Sequence, residues 1–333
     1  MFYSDDEPIS TPEPQKLPAA PQAVPADDAA TDSSQNQEGW WQQGSGDSAG
    51  VITSPLPQIP TPEHQPVVRN AAALTPSERG MAFAALRDIG QLRSVNQDSV
   101  LAMVATVPRA GGDVPLGLFV VADGMGGHEG GEIASRIAIS TVAREVLRNL
   151  ILPSLDDTLG ESLQQIVTTA VQEANRAIWT AAQAAGSDMG TTCTAAILIG
   201  HTVYLGHVGD SRAYLVDAGG LRPLTTDHSA VGRLIELGQL APSEAREHPQ
   251  RSQLYRTVGQ LAEIAVDYEY HQVGSATHLL LCSDGLWGMI DEAEMLEAVR
   301  GYTWPQDICQ SLIDRANAAG GDDNISAVVV ALP

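Results

Sequence analysis

Five aspartates recur in one kind of place: Asp98, Asp123, Asp210, Asp284 and Asp323 each lie beside an apolar run or in a tight turn, and most have a glycine next to them. Any one of them is an ordinary turn or cap residue. Five in the same setting, without a cysteine or histidine cluster, form a set of hard oxygen donors. Such donors select Mg²⁺ or Mn²⁺ over Zn²⁺ or copper. Carboxylates brought together also repel, and they retain protons unless cations sit between them. The pattern therefore predicts a divalent-metal centre at the end of a sheet, built for two ions.

Elements must bring these residues together. The apolar run Leu116 to Val121 reads as a buried strand that stops at Asp123, and Ile133, Ile137, Val142, Val146 and Leu150 then recur at helical spacing. Between them lie Gly124, Gly126, Gly127, Gly130 and Gly131, which let the backbone approach a ligand closely. Further strands are expected at 81–86, 191–199, 201–207, 212–216, 266–273, 278–282 and 325–332, with none assigned between Leu86 and Leu116. Long helices are expected over 158–185, about 291–300 and 305–318. Residues 230–262 are weakly patterned and read as an excursion across the surface. Strands interleaved with long helices fit an α+β fold of two packed sheets with helices outside, as one domain over 79–333.

Composition narrows the partners. A net charge of -23 argues against a nucleic-acid backbone. No apolar run reaches the length of a membrane span, and the first residues carry neither a basic nor an apolar leader segment, so a cytoplasmic protein is expected. Cys193, Cys282 and Cys309 have no metal-ligand spacing and suit a reducing compartment. Residues 1–78 hold twelve of the twenty prolines and no sustained apolar periodicity, which predicts a disordered tail. Within it, Trp40-Trp41 is either a stray aromatic pair or a short docking element.

From Met81 onward the chain resembles the metal-dependent protein phosphatases of type 2C in their bacterial form. The resemblance rests on motifs met in order: Asp88-x-Gly90-x-x-Arg93-x-x-Asn96-Gln97-Asp98, Asp123-Gly124-Met125-Gly126-Gly127-His128, Gly190-Thr191-Thr192, Gly206-His207-Val208-Gly209-Asp210-Ser211-Arg212, Thr226-Asp227-His228-Ser229, Ser283-Asp284-Gly285 and Gly321-Asp322-Asp323-Asn324-Ile325. It implies an α-β-β-α sandwich of mainly antiparallel sheets and hydrolysis of phosphoserine and phosphothreonine in proteins, a serine/threonine kinase among them, by a monomer. It further implies that Asp123 bridges two Mn²⁺ or Mg²⁺ ions with the Gly124 carbonyl as a further ligand. Asp284 and Asp323 would hold one ion, and Asp98 would support the site through water. A metal-activated hydroxide would attack phosphorus directly, with no covalent phosphoenzyme.

By the same resemblance Arg93 binds the phosphate and His128 is the general acid, although a histidine at a helix entry can equally be a plain surface residue. Asp210 joins Asp284 at a weaker third ion, residues 230 to about 258 form a flap associated with substrate choice, and Thr192, Ser211, Arg212 and Asn324 brace loops. Two positions depart from the pattern. Gln97 stands where many relatives have Glu, and Gly288 where many carry Asp, so the third ion lacks a ligand that an aspartate there would restore. A phosphatase-like regulator without turnover, and a partner-switching phosphatase acting on a transcription regulator, are the competing readings; the intact Asp and Arg93 set speaks against the first.

Overall fold

In a computed structural model the described residues are 81–332, apart from 109–111, 127–129, 157, 159, 242–243 and 246–247. The expected tail, the boundary near residue 78, Trp40-Trp41 and His128 lie outside them.

Eleven strands among these residues form two antiparallel sheets. The first sheet runs in the order β1 (Ala82–Asp88), β11 (Ile325–Ala331), β10 (His278–Cys282), β7 (Arg212–Asp217), β8 (Gly220–Pro223). The second runs β2 (Asp98–Val107), β3 (Val114–Met125), β5 (Cys193–Ile199), β6 (Thr202–Val208), β9 (Asp267–Gln272), and the two-residue β4 (Gly190–Thr191) pairs with the end of β3.

Alternation along the strands sorts side chains into layers. Phe119 and Val121 of β3 point between the sheets and meet Leu215, Leu279, Leu281, Val328 and Val330. Leu118, Val120 and Ala122 point the other way, under α1 (Gly130–Val146) and α3 (Leu163–Ala185). The outer face of the first sheet is covered by α5 (Asp284–Trp287), α6 (Glu292–Gly301) and α7 (Pro305–Ala318), through Leu286, Met295, Ile308 and Leu312. The layering is therefore α-β-β-α, as expected. Helix α3 starts at its Ser162 cap, whose hydroxyl accepts the Gln165 N–H at 3.2 Å, and stops at Gly186 in the left-handed region. Two short helices complete the set, α2 (Leu152–Leu155) after a π-turn at Leu147–Ile151, and α4 (Ala230–Glu236) at the start of the excursion.

Two expectations are corrected. The strand before Asp123 does not stop there: β3 continues to Met125, because Asp98 lies opposite Asp123 on one side while Thr191 and Gly190 pair with Gly124 and Met125 on the other. The segment left without a strand contains the ten-residue β2. It is an edge strand, half-buried along most of its length, and its run from Val100 to Val107 is apolar on both faces, without the alternation that marks a half-buried strand.

Candidate metal centre

The five aspartates come from the ends of both sheets. Asp98 opens β2 and faces Asp123 across the ladder. Asp210 sits in the turn after β6, Asp284 is the first residue of α5 after β10, and Asp323 lies in the loop before β11. Asp123, Asp210, Asp284 and Asp323 line one cavity of about 510 Å³ together with Arg93, Ser252 and Leu254. Asp98 is not on that wall. It is fully buried behind it, with Oδ2 accepting from the Ser283 hydroxyl at 2.7 Å.

Hydrogen bonds hold the backbone around these carboxylates. Asp123 N–H donates to Thr192 Oγ1 at 2.9 Å, and its carbonyl accepts from Thr192 N–H and Thr191 Oγ1, both at 2.8 Å. Thr192 Oγ1 in turn meets Ser211 Oγ at 2.7 Å. Asn324 ties down the Arg93 loop: its Nδ2 donates to the carbonyls of Ile89 and Val95, and its Oδ1 accepts the Gln97 N–H. Arg212 donates twice to Asp227 and stacks over Trp287, whose indole N–H holds the Asp210 carbonyl at 3.0 Å. The bracing expected of Thr192, Ser211, Arg212 and Asn324 is present in these contacts.

The glycines have reasons the sequence did not reveal. A Cβ on Gly124 would lie 2.1 Å from the Gly131 carbonyl, so this glycine is needed for the first turn of α1 to pack on β3. At Gly288 a Cβ would lie 2.6 Å from the Asp284 carbonyl. A side chain there requires the Asp284 peptide to shift. Gln97 Nε2 reaches the Gly126 carbonyl at 3.4 Å, so the amide spans the glycine turn.

Electrostatics test whether a cation suits the site. Burial pushes the Asp98 carboxyl up to about 7 against the opposing Ser283 hydrogen bond. Asp123 and Asp210 are held well above the usual range by burial and then by neighbouring carboxylates, and Asp284 is raised by burial and then by the Asp323 charge. Buried Asp98 Oδ1 and Asp284 Oδ1 have no hydrogen-bond partner. Asp323 accepts from Arg93 Nη2 at 2.7 Å. Among the described residues no three His, Cys, Asp or Glu side chains form a finished cage. Orphaned buried oxygens whose protonation is favoured by burial and then by mutual repulsion are nonetheless the donor set that a hard divalent cation relieves.

Several contributors carried little or no sequence signal. Ser283 and His228 lay within recognised motifs without an assigned role. Asp267, Arg256 and Asn175 have no local signature, because their partners are distant in the chain.

The comparisons agree with this geometry. The family model described as protein phosphatase 2C matches residues 92–323. Protein phosphatase PhpP of Streptococcus pneumoniae is 34% identical over 252 residues, 76% of this chain and 98% of that protein. The serine/threonine phosphatase PstP/Ppp of Mycobacterium tuberculosis superposes with a TM-score of 0.60 at 32% identity, covering 76% of this chain and 98% of that one. A PstP catalytic domain in complex with two manganese ions gives a TM-score of 0.62 at 32% identity, covering 75% and 97%.

Proposed function

The chain belongs to the protein phosphatase 2C family, and from that premise we propose how its residues divide the work of a metal-dependent serine/threonine phosphoprotein phosphatase. The observation that carries the proposal is that Asp123, Asp210, Asp284, Asp323 and Arg93, far apart in sequence, line one cavity.

Asp123, Asp284 and Asp323, with the Gly124 carbonyl, would hold two Mn²⁺ or Mg²⁺ ions, and Asp210 with Asp284 a weaker third. Bound there, the ions supply the positive charge that acidifies an attacking water and offsets the charge of the phosphate. Asp98, behind the wall, fixes Ser283 and with it the approach to Asp284. Arg93 binds the phosphate oxygens from the cavity mouth, its loop braced by Asn324. His128, two residues beyond the cavity-lining Gly126, donates a proton to the leaving serine or threonine oxygen. Direct attack without a phosphoenzyme is supported by the cysteines: all three are buried, and burial pushes each thiol up to about 12, leaving no thiolate nucleophile.

The substrates are phosphoproteins, and a serine/threonine kinase is the finer expectation, as is action as a monomer. Among the described residues no helix is long and apolar enough to cross a membrane. Three buried free thiols support a reducing, cytoplasmic setting. The purified chain should hydrolyse a phosphothreonine peptide with Mn²⁺, stop on chelation and resume when Mn²⁺ is restored. An acid-stable phosphoenzyme in a rapid quench would overturn the direct-attack reading.

A further inference from the structure

The excursion over 230–262 leaves and re-enters the domain through paired segments. Ala230 N–H donates to the Gln253 carbonyl at 2.8 Å and Tyr255 N–H to the His228 carbonyl at 2.9 Å. Just beyond, Thr191 and Val258 exchange backbone hydrogen bonds in both directions. At the root between these segments lies His228, its side chain only 2% exposed.

His228 Nδ1 accepts the Gly209 N–H at 3.0 Å. A ring nitrogen that accepts carries no proton, so the neutral ring bears its hydrogen on Nε2. That N–H donates to Asp267 Oδ2 at 3.0 Å; Arg256 Nη1, from the returning limb of the excursion, lies 3.1 Å from the same Nε2 and donates to Asp267 Oδ1. The neighbouring His207, with a ring-centroid distance of 4.8 Å, has its own partners in Thr194 and the Thr226 carbonyl. At Gly209, which has φ of +113°, the Thr192 side chain occupies the space a Cβ would need. The His228 ring thus holds the peptide entering Gly209, and the His228 backbone N–H donates at 2.7 Å to the Gly209 carbonyl of the peptide leading into Asp210.

We propose that His228 is a positioning residue for Asp210: Asp267 fixes the ring tautomer, Nδ1 fixes the Gly209 amide, and Arg256 ties both to the returning limb of the flap. The proposal rests on the phosphatase reading, in which Asp210 faces a cation. It is the second-sphere arrangement in which a carboxylate sets a histidine's tautomer, displaced here to a backbone amide next to the ligand.

The full chain provides the test. Nitrogen NMR of the metal-free wild type should show His228 unprotonated at Nδ1 and protonated at Nε2. Asp267→Ala should mix the tautomers, speed Gly209 amide exchange about tenfold and raise the Mn²⁺ concentration for half-maximal activity about tenfold, while turnover at saturating Mn²⁺ changes little. His228→Asn leaves an acceptor near where Nδ1 stood and should keep Gly209 protected, whereas His228→Gln should not. A wild-type ring protonated at Nδ1 overturns the proposal, even if the variants fail to fold. So does an Asp267→Ala protein with unchanged exchange and Mn²⁺ midpoint. A wild type inert toward phosphothreonine peptide at every Mn²⁺ concentration would sink the phosphatase reading instead, and the tautomer and exchange measurements would still decide the positioning role.

Discussion

Arg93 Nη2 donates to Asp323 Oδ2 at 2.7 Å, so the guanidinium assigned to phosphate is already paired with a carboxylate assigned to metal. The pair is half-exposed, and such pairs contribute only about 0–1 kcal/mol to stability. Metal and phosphate can therefore compete for its two halves at little cost.

Arg93→Ala should accordingly leave the melting temperature within a degree or two but lower kcat/KM for a phosphothreonine peptide about 10–100-fold, the worth of a charge-assisted hydrogen bond of about 1.5–3 kcal/mol. Arg93→Lys should recover part of that, since it keeps the charge without the planar fork. Steady-state kinetics beside thermal melts checks both. An unchanged kcat/KM would remove Arg93 from the phosphate site.

The carboxylates make metal-free stability depend on pH. Asp98, Asp123, Asp210 and Asp284 all have raised values in the folded chain, Asp98 reaching about 7; unfolded they would titrate near 3.9. A raised folded value means the native state binds more protons, so stability is present below the unfolded value and lost as pH rises through the folded one. The melting temperature in EDTA should fall by several degrees between about pH 4.5 and 8, and Mn²⁺ should flatten that slope. A melting temperature that rises with pH in EDTA would contradict the cluster.

Much of this was legible in the sequence, and what was missed has physical causes. Asp123, Asp284 and Asp323 stand out because glycines flank or adjoin them and apolar runs lie beside them. Helices α6 and α7 emerge nearly at their expected bounds because their apolar faces are strongly periodic. Strand β2 escaped although Val100, Leu101, Met103, Val104 and Val107 are apolar, because the run shows no period-two alternation. Asp267 and Asn175 escaped because their meaning lies in hydrogen bonds across 39 and 84 residues of chain. Gly288 reads as a missing ligand in sequence and as a close approach to the Asp284 carbonyl in three dimensions.

Gly288→Ala tests that last point. A methyl group 2.6 Å from the Asp284 carbonyl must displace the peptide of a metal-site residue. The variant should lose about 1–3 kcal/mol of stability and need several-fold more Mn²⁺ for half-maximal activity. Gly288→Asp should do no better than alanine. If the aspartate variant instead binds a third ion more tightly by calorimetry, the steric account is wrong.

Asn175, buried on α3, anchors the loop after the flap: Oδ1 accepts the Gly259 N–H at 2.7 Å, and Nδ2 donates to the carbonyls of Leu261 and Ala262. Asn175→Ala strands buried backbone groups and should cost about 2–4 kcal/mol in urea unfolding, with the midpoint falling and the slope unchanged. Asn175→Asp keeps only the acceptor and should lose a comparable amount. A shift below about 0.5 kcal/mol would show that water replaces the side chain.

The central claim is that the carboxylates at the sheet ends work by holding divalent metal, and Asp123→Asn measures it most directly when melting and turnover are followed together across a Mn²⁺ titration at pH 8. Without metal the variant should melt no lower than wild type, because it removes a carboxylate whose ionisation the fold resists. Wild type should then gain stability as Mn²⁺ binds, whereas the variant gains little and turns over a phosphothreonine peptide at least about a thousandfold more slowly, a barrier increase of about 4 kcal/mol. A variant that keeps both the Mn²⁺-induced rise in melting temperature and wild-type turnover would contradict the account.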